Sequence, residues 1–407
     1  MADVVKKERK NSRTAKGTGH IRQREDGRWE CQITLGQDLG TGKQRRKSIY
    51  GKTQSEVRKK LQAIQKEVDE GTYIEPTKMT YGIWLDEWLK NYLSDKSMNT
   101  RKGYESCVRV RIKPLLGSAR LSALTLPDIQ AFINKQQEPI PHLELDPLGG
   151  KSIKNLHGVL SKSFKQAIAC GYIRINPATG CKLPRWDKPE MLYLDSNQLA
   201  AFLQAIRGHK HELLLILAVL TGMREGELVG FTWDSVNFVN GTIYINKQLQ
   251  LISKDNYKES LPKWNKKRII SPAPAIMQLL REHKVHQEQQ AELAGAGWGN
   301  KGGYVFTNEI GEHLKIPTVY KNFKRIVEKM AVTLNTSELA DTRFHDLRHT
   351  YAVTALQAGD SIQAVSENMG HHSTAFTLDT YGHFTPHMRE KSANIMDGVF
   401  KAATSTL

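Results

Sequence analysis

The sequence predicts a multidomain chain, mainly α-helical with small β-sheets. Three observations carry that expectation. The length of 407 residues exceeds what one compact core usually organises. Short alternating segments between Gly19 and Tyr50 precede a helical pattern. Beyond residue 79 apolar residues recur at helical spacing, interrupted by two short strand-like runs.

Residues 1–18 hold Lys6, Lys7, Arg9, Lys10, Arg13 and Lys16 among small polar residues, and read as a disordered basic tail with nothing to bury. In the 19–75 unit, Ile21–Arg24, Trp29–Leu35 and Lys47–Tyr50 alternate as strands, with turns at Glu25-Asp26-Gly27 and Gly36–Gly42. Thr53 then starts a helix as N-cap, and Glu56 three residues later completes a capping box. Val57, Leu61, Ile64 and Val68 would cover one face of the sheet.

Gly71–Lys78, with Pro76, reads as a linker. The 79–183 unit is helical. Trp84, Leu85, Trp88, Leu89 and Tyr92 form its first stripe, and a second helix starting near Asn99-Thr100 carries Tyr104, Val108 and Ile112. A third is capped by Thr125, and a fourth runs from Lys151 to Gly171, where glycine suits the C-terminus. These stripes read as core. Asn176–Pro189 is a second linker. In the 190–390 unit, Asp195 caps a helix through Ile206, and residues 211–220 are apolar nearly all round, as in a buried helix. Strands at Thr242–Asn246 and Arg268–Ser271 are joined by a polar, lysine-rich connection. Helices return over Ala275–Ala294, Thr318–Thr333, Asp346–Gln357 and Ile362–Met369. Residues 391–407 form a tail with an apolar stripe of Ile395, Met396, Val399 and Phe400.

Hydrophobic content of 39% and charged content of 25% are ordinary for a folded protein, whereas a net charge of +17 points to a polyanionic partner, nucleic acid first. Residues 1–70 hold 18 lysines and arginines against 10 acidic residues. A small basic sheet of this kind can lie in a DNA major groove. Cys31, Cys107, Cys170 and Cys181 lack metal-ribbon spacing and read as reduced thiols. The N-terminus has no apolar leader core, and the longest apolar run, Leu213–Leu220, is far short of the roughly twenty residues a membrane span needs. The expected location is the cytoplasm, without a membrane partner.

Four segments carry chemistry. In Thr221-Gly222-Met223-Arg224-Glu225-Gly226-Glu227-Leu228, the glycine ends the buried helix so that Arg224 emerges at a rim. Glu227 can hold its guanidinium or cap the next helix. In His345-Asp346-Leu347-Arg348-His349, positions i, i+3 and i+4 share a helical face. A metal at His345 and His349 is disfavoured: Asp346 stands where a metalloprotease helix has glutamate, and Arg348 would repel a cation. Lys263, in Leu261-Pro262-Lys263-Trp264-Asn265-Lys266-Lys267-Arg268, would sit at a hairpin tip, able to protonate a leaving oxygen if neighbouring cations lower its pKa. Lys266, Lys267 or Arg268 could equally contact DNA backbone. Met369-Gly370-His371-His372 precedes Tyr381, whose phenol has an ordinary pKa near 10 and so needs a base or positive surroundings to attack. Its flanking helix would let the hydroxyl swing to a phosphate. Tyr351 is the rival nucleophile, but its spacing suggests core.

With these segments in hand, nearly the whole chain resembles the tyrosine recombinases, particularly integrases of temperate phages and conjugative transposons. The matching boxes are TGxRxxEL, HxLRH and (L/M)GH with the late tyrosine. The resemblance implies a mixed α+β catalytic domain at 190–390, a helical core-site DNA-binding domain at 79–183 and an arm-site DNA-binding domain at 19–75. It implies a site-specific DNA recombinase that integrates and excises a mobile element through a 3′-phosphotyrosyl intermediate and a Holliday junction. By that resemblance Arg224 and Arg348 would grip the scissile phosphate, and Lys263 would be the acid for the 5′-oxygen, although Ser271 replaces the family's usual proline. His345 would accept the tyrosine proton or bond the phosphate, and His371 would donate a hydrogen bond to it. Tyr381 would be the nucleophile and Glu227 a support behind the arginines; His349, His372 and His383 match less discriminating positions. Neither metal nor other cofactor is implied. The implied partners are double-stranded DNA carrying core and arm attachment sites, further copies of the chain in a homotetramer, and an excisionase or host DNA-bending protein. The tail would dock in cis or in trans. A regulator without catalysis and a type IB topoisomerase are the competing readings.

Overall fold

The computed structural model describes residues 21–37, 42–70, 73, 78–187, 189–382, 393–398, 400–401 and 404. The expected tail at 1–18, most of the first linker, His383 and Val399 lie outside them. The chain divides into two compact units, Met1–Asp187 and Lys188–Leu407.

The first unit holds two cores. Strands β1 (Ile21–Gln23), β2 (Trp29–Gln37) and β3 (Gln44–Gly51) form an antiparallel sheet in the order β1-β2-β3. Cys31, Ile33 and Ile49 point inward against Val57 and Leu61 of helix α1 (Gln54–Asp69), the strand and helix periodicities meeting in one small core. The Thr53 hydroxyl accepts from the Glu56 amide as expected for an N-cap. The Glu56 carboxylate instead takes the Lys52 amide at 2.9 Å, one residue earlier than a standard box.

Helices α2 (Tyr81–Asn91), α3 (Met98–Cys107), α4 (Lys113–Leu116), α5 (Leu126–Lys135) and α6 (Gly150–Ala169) surround the second core. A π-turn at Val108–Ile112 joins α3 to α4 and keeps Val108 and Ile112 buried. Tyr81 stacks on Phe164 at 4.6 Å, and its hydroxyl pairs with that of Ser163 at 2.7 Å. Trp84 donates its indole N–H to the Ser163 carbonyl, so the polar atoms of the buried aromatics are satisfied.

In the second unit, α7 (Ser196–Ala205) begins at Asp195 with a full capping box to Gln198. Helix α8 (Glu212–Thr221) is buried on most sides, although Leu220 remains 37% exposed. Short α9 (Glu225–Val229) follows. Strands β4 (Val236–Asn237), β5 (Thr242–Ile245) and β8 (Arg268–Ile270) make a three-stranded antiparallel sheet. The polar, lysine-rich connection between β5 and β8 is itself structured, which the sequence did not reveal. It contains a hairpin, β6 (Gln248–Ser253) paired with β7 (Asn256–Ser260), whose outer strand is polar on both faces and so lacks the apolar alternation that reveals a strand. Helices α10 (Pro274–Ala294), α11 (Ile316–Thr333), α12 (Asp346–Gln357), α13 (Ile362–Met369) and α14 (Thr374–Tyr381) complete the unit. All four cysteines are free thiols. No helix among the described residues is long and apolar enough to cross a membrane.

Candidate active site

Two glycines set the entrance to α9. Gly222 ends α8 at φ +65°, a left-handed conformation that L side chains resist, and a Cβ there would lie 2.6 Å from the Tyr351 ring. That packing gives Tyr351 the structural place its spacing suggested. A Cβ on Gly226 would strike the Leu249 carbonyl oxygen at 2.7 Å, so α9 can approach β6 only with glycine there. Arg224 is held between these constraints. It donates from Nη1 to Glu227 Oε1 at 2.8 Å and from Nη2 to the Gly370 carbonyl at 3.1 Å.

Glu227 both caps α9, accepting the Arg224 amide at 2.9 Å, and anchors two guanidinium groups. The second belongs to Arg268, which is buried and also donates to the Asn368 carbonyl. Burial by itself raises the Glu227 carboxyl, but hydrogen bonds and charge from Arg268, with Arg224, bring it down to about 2. Arg268 is therefore an internal strut and is not free to contact DNA backbone. Sequence reasoning missed this role, because a basic run in a polar connection normally reads as solvated surface.

Arg348, on α12, is almost fully buried and donates to the carbonyls of Gly222 and Met369. Burial first, and then neighbouring Arg224, lower it to about 9, so it stays charged at neutral pH. Lys266 donates to the His371 and His372 carbonyls at 2.7 and 3.1 Å, tying the β8 approach to the glycine-histidine segment. Lys263 is not at a hairpin tip. It lies in the turn between β7 and β8, followed by Trp264 and Asn265 at φ +67° and +55°.

A pocket of about 230 Å³ is lined by Arg224, Lys263, Trp264, His345, Arg348, Gly370, His371, His372 and Phe376. Five of the six expected catalytic residues thus meet at one cavity, drawn from four separated stretches of chain. His345 opens on the pocket, and desolvation first, then the charge of Arg348, bring it to about 4. His371 is more deeply set, at about 3, with burial again the leading cause and Arg348 next. Both rings are neutral at pH 7. The Thr377 hydroxyl lies 2.7 Å from His371 Nδ1; when it donates there, the ring hydrogen sits on Nε2.

Tyr381 does not line the cavity. It ends α14 only 1% exposed, packed among Ala352, Val353, Leu356, Val365 and Met369. Its hydroxyl is 2.6 Å from His349 Nδ1, and its ring lies parallel to that of His371 at 6.2 Å. Burial raises the phenol to about 12 despite the lowering charge of Arg348. His349, set outside the expected set on sequence grounds, is thus in contact with the Tyr381 hydroxyl. Only its i+4 spacing from His345 hinted at this.

The phage integrase family model matches residues 193–388, and its SAM-like N-terminal domain model matches residues 80–136. The chain belongs to the phage integrase family. Over most of its length it is similar to a tyrosine recombinase XerC-like protein of Caldanaerobacter subterraneus subsp. tengcongensis, at 27% identity over 95% of this chain and all of the relative. The ICEBs1 integrase of Bacillus subtilis is 22% identical over 93% of this chain and 99% of its own. Among solved structures, the Tn1549 transposon integrase in complex with a circular intermediate DNA superposes with a TM-score of 0.63. The match covers 75% of this chain and 95% of that one at 24% identity. A lambda integrase tetramer bound to a Holliday junction matches with a TM-score of 0.52 and 21% identity, over 87% of this chain and 96% of that one. This member of the integrase family is a tyrosine-type site-specific recombinase, with a mostly helical fold and small antiparallel sheets.

Proposed function

We propose that this integrase inserts and excises a mobile element by cutting and rejoining double-stranded DNA through Tyr381. The observation that carries the reading is the cavity itself, which Arg224 and Arg348 line together with Lys263, His345 and His371. A phosphodiester is a monoanion that gains charge as its phosphorus becomes pentacovalent. Two fixed guanidinium groups stabilise that gain most when water is excluded.

In the proposed step the Tyr381 Oη–P bond forms as the P–O5′ bond breaks, and Lys263 supplies the proton to the departing 5′-oxygen. His345 and His371 hydrogen-bond the phosphoryl oxygens. The 3′-phosphotyrosyl link keeps the energy of the broken bond, so rejoining by a 5′-hydroxyl of a second duplex needs no nucleotide.

The sheet of the first unit fits an arm-site reader. Arg22, Glu30, Gln32, Thr34 and Arg46 line an open depression of about 340 Å³ on the sheet, a polar surface of donors and acceptors suited to base edges. On this reading residues 19–75 bind arm sites, 79–183 bind core sites and 190–390 cut. On this reading four copies assemble on DNA in the cytoplasm, assisted by an excisionase or a DNA-bending protein; the similar lambda integrase is a tetramer on a Holliday junction.

Incubation with two candidate element-end duplexes tests the reading. Recombinant products, formed in excess chelator and without nucleotide, are expected. Relaxation of supercoils with no recombinants would assign the chain to topoisomerase chemistry instead.

A further inference from the structure

We propose that His349 is a catalytic residue of this recombinase, the group that takes the phenolic proton of Tyr381 as the nucleophile attacks. The inference deepens the functional reading above and rests on it. His349 Nδ1 lies 2.6 Å from Tyr381 Oη, within the distance of a strong hydrogen bond. Tyr381 is buried, and a buried hydroxyl requires an acceptor for its hydrogen. Among the described residues the hydrogen-bond partner of that oxygen is His349, so Nδ1 accepts and the ring hydrogen sits on Nε2.

The two histidines of the helix therefore divide the work. His345 opens on the cavity beside Arg224 and Arg348 and faces the phosphate. His349, one turn further along α12, meets His345 edge-on at 5.2 Å and faces the phenol. It directly follows Arg348 in the chain. A phosphate gripped by Arg348 is thus adjacent to an Oη still resting on His349, and both groups stand on the same rigid helix.

The charged and titratable groups around His349 explain why it waits neutral. His345, Asp346 and Arg348 share its helix, Arg343 precedes it, and Tyr381 and His371 approach from the segment beyond α13. Burial is the chief cause of its fall to about 4, followed by His345. A DNA phosphate entering the cavity adds negative charge beside these cations and favours protonation of the imidazole. The step balances: Oη–P forms, P–O5′ breaks, the phenolic proton passes to His349 Nδ1, and the 5′-oxygen takes a proton from Lys263. Rejoining returns both protons.

The test uses the full chain, nicked element-end duplexes, and His349→Ala and His349→Gln variants, with melting and DNA binding measured alongside. Glutamine keeps an oxygen that can accept the phenol but cannot take its proton. Both variants should bind DNA normally and form the tyrosine adduct about 10²-fold more slowly or worse at neutral pH. The deficit should narrow as pH rises and hydroxide replaces the lost base. A 5′-bridging phosphorothiolate, which needs no acid at the leaving group, should rescue Lys263→Ala and leave the His349 variants slow. Near-normal rates in His349→Gln, a deficit equal at every pH, or rescue by the phosphorothiolate would each overturn the assignment. Wild-type protein that forms no tyrosine adduct would overturn the functional reading itself, whereas a normal wild-type adduct with an unimpaired glutamine variant overturns only the role of His349.

Discussion

Glu227 and Arg268 form a doubly hydrogen-bonded ion pair, with Nη1–Oε1 at 2.9 Å, Nη2–Oε2 at 2.7 Å and side chains 0% and 7% exposed. The same carboxylate orients Arg224, so the pair fixes the cavity wall from behind. Removing one partner leaves a buried, uncompensated charge. Glu227→Gln should therefore lower stability by about 3–5 kcal/mol and slow cleavage through a displaced Arg224. Denaturant unfolding followed by an adduct assay checks both effects, and a variant as stable as wild type would refute the strut.

Arg224→Lys should keep the fold and DNA binding but lose about 10²-fold or more in cleavage. Arg224 contacts Glu227 and the Gly370 carbonyl with two nitrogens, and a single ammonium cannot keep both while presenting a fork to a phosphate. Single-turnover cleavage at saturating protein is the measurement. A wild-type rate would remove Arg224 from the phosphate site.

Trp264 is 67% exposed on the cavity rim at φ +67°. Glycine adopts that conformation freely, so Trp264→Gly should leave stability unchanged or raise it by about 1 kcal/mol, while cleavage falls because the ring no longer walls the phosphate site. Thermal melting and adduct formation separate the two. A large loss of stability would mean the ring is packed in the fold.

His349 and His371 are held mainly by burial at about 4 and about 3, against an ordinary 6.5. The unfolded chain binds protons at these rings near pH 6.5, and the folded chain does so only near pH 3–4. Their contribution is complete above pH 6.5 and declines as pH falls toward those folded values. Melting temperature against pH should show this decline, shallower in His371→Asn. A profile flat between pH 7 and 4 would contradict the neutral, buried imidazoles.

Deleting residues 1–75 should preserve cleavage at core sites and abolish arm-site binding. Cys31, Ile33, Ile49, Val57 and Leu61 close a small core of their own, separate from the helical one. Binding to separate arm and core duplexes checks the division, and unchanged arm binding would refute it.

Much of this molecule is legible in its sequence for identifiable reasons. The stripe of Trp84, Leu85 and Trp88 and the caps at Thr53, Thr125 and Asp195 are local signals, read without knowing the fold. The boxes around Arg224, Arg348 and His371 are equally local, and folding brings them to one cavity. What escaped were relationships between distant segments. Arg268 looks like one more surface cation until Glu227, 41 residues away, is placed beneath it. His349 looks redundant beside His345 until Tyr381, 32 residues on, is laid against it. The β6–β7 hairpin escaped because its outer strand lacks apolar alternation. Tyr381 was expected to swing free, yet α14 packs it inward.

The most direct test of the central claim is the chemical identity of the bond between protein and DNA. After reaction with a nicked element-end duplex, protease digestion and mass spectrometry should find the 3′-phosphate of DNA esterified to Tyr381, with no adduct in Tyr381→Phe. A phosphate attached to another residue such as Tyr351, a 5′-linked adduct, or cleavage that survives in Tyr381→Phe would contradict it.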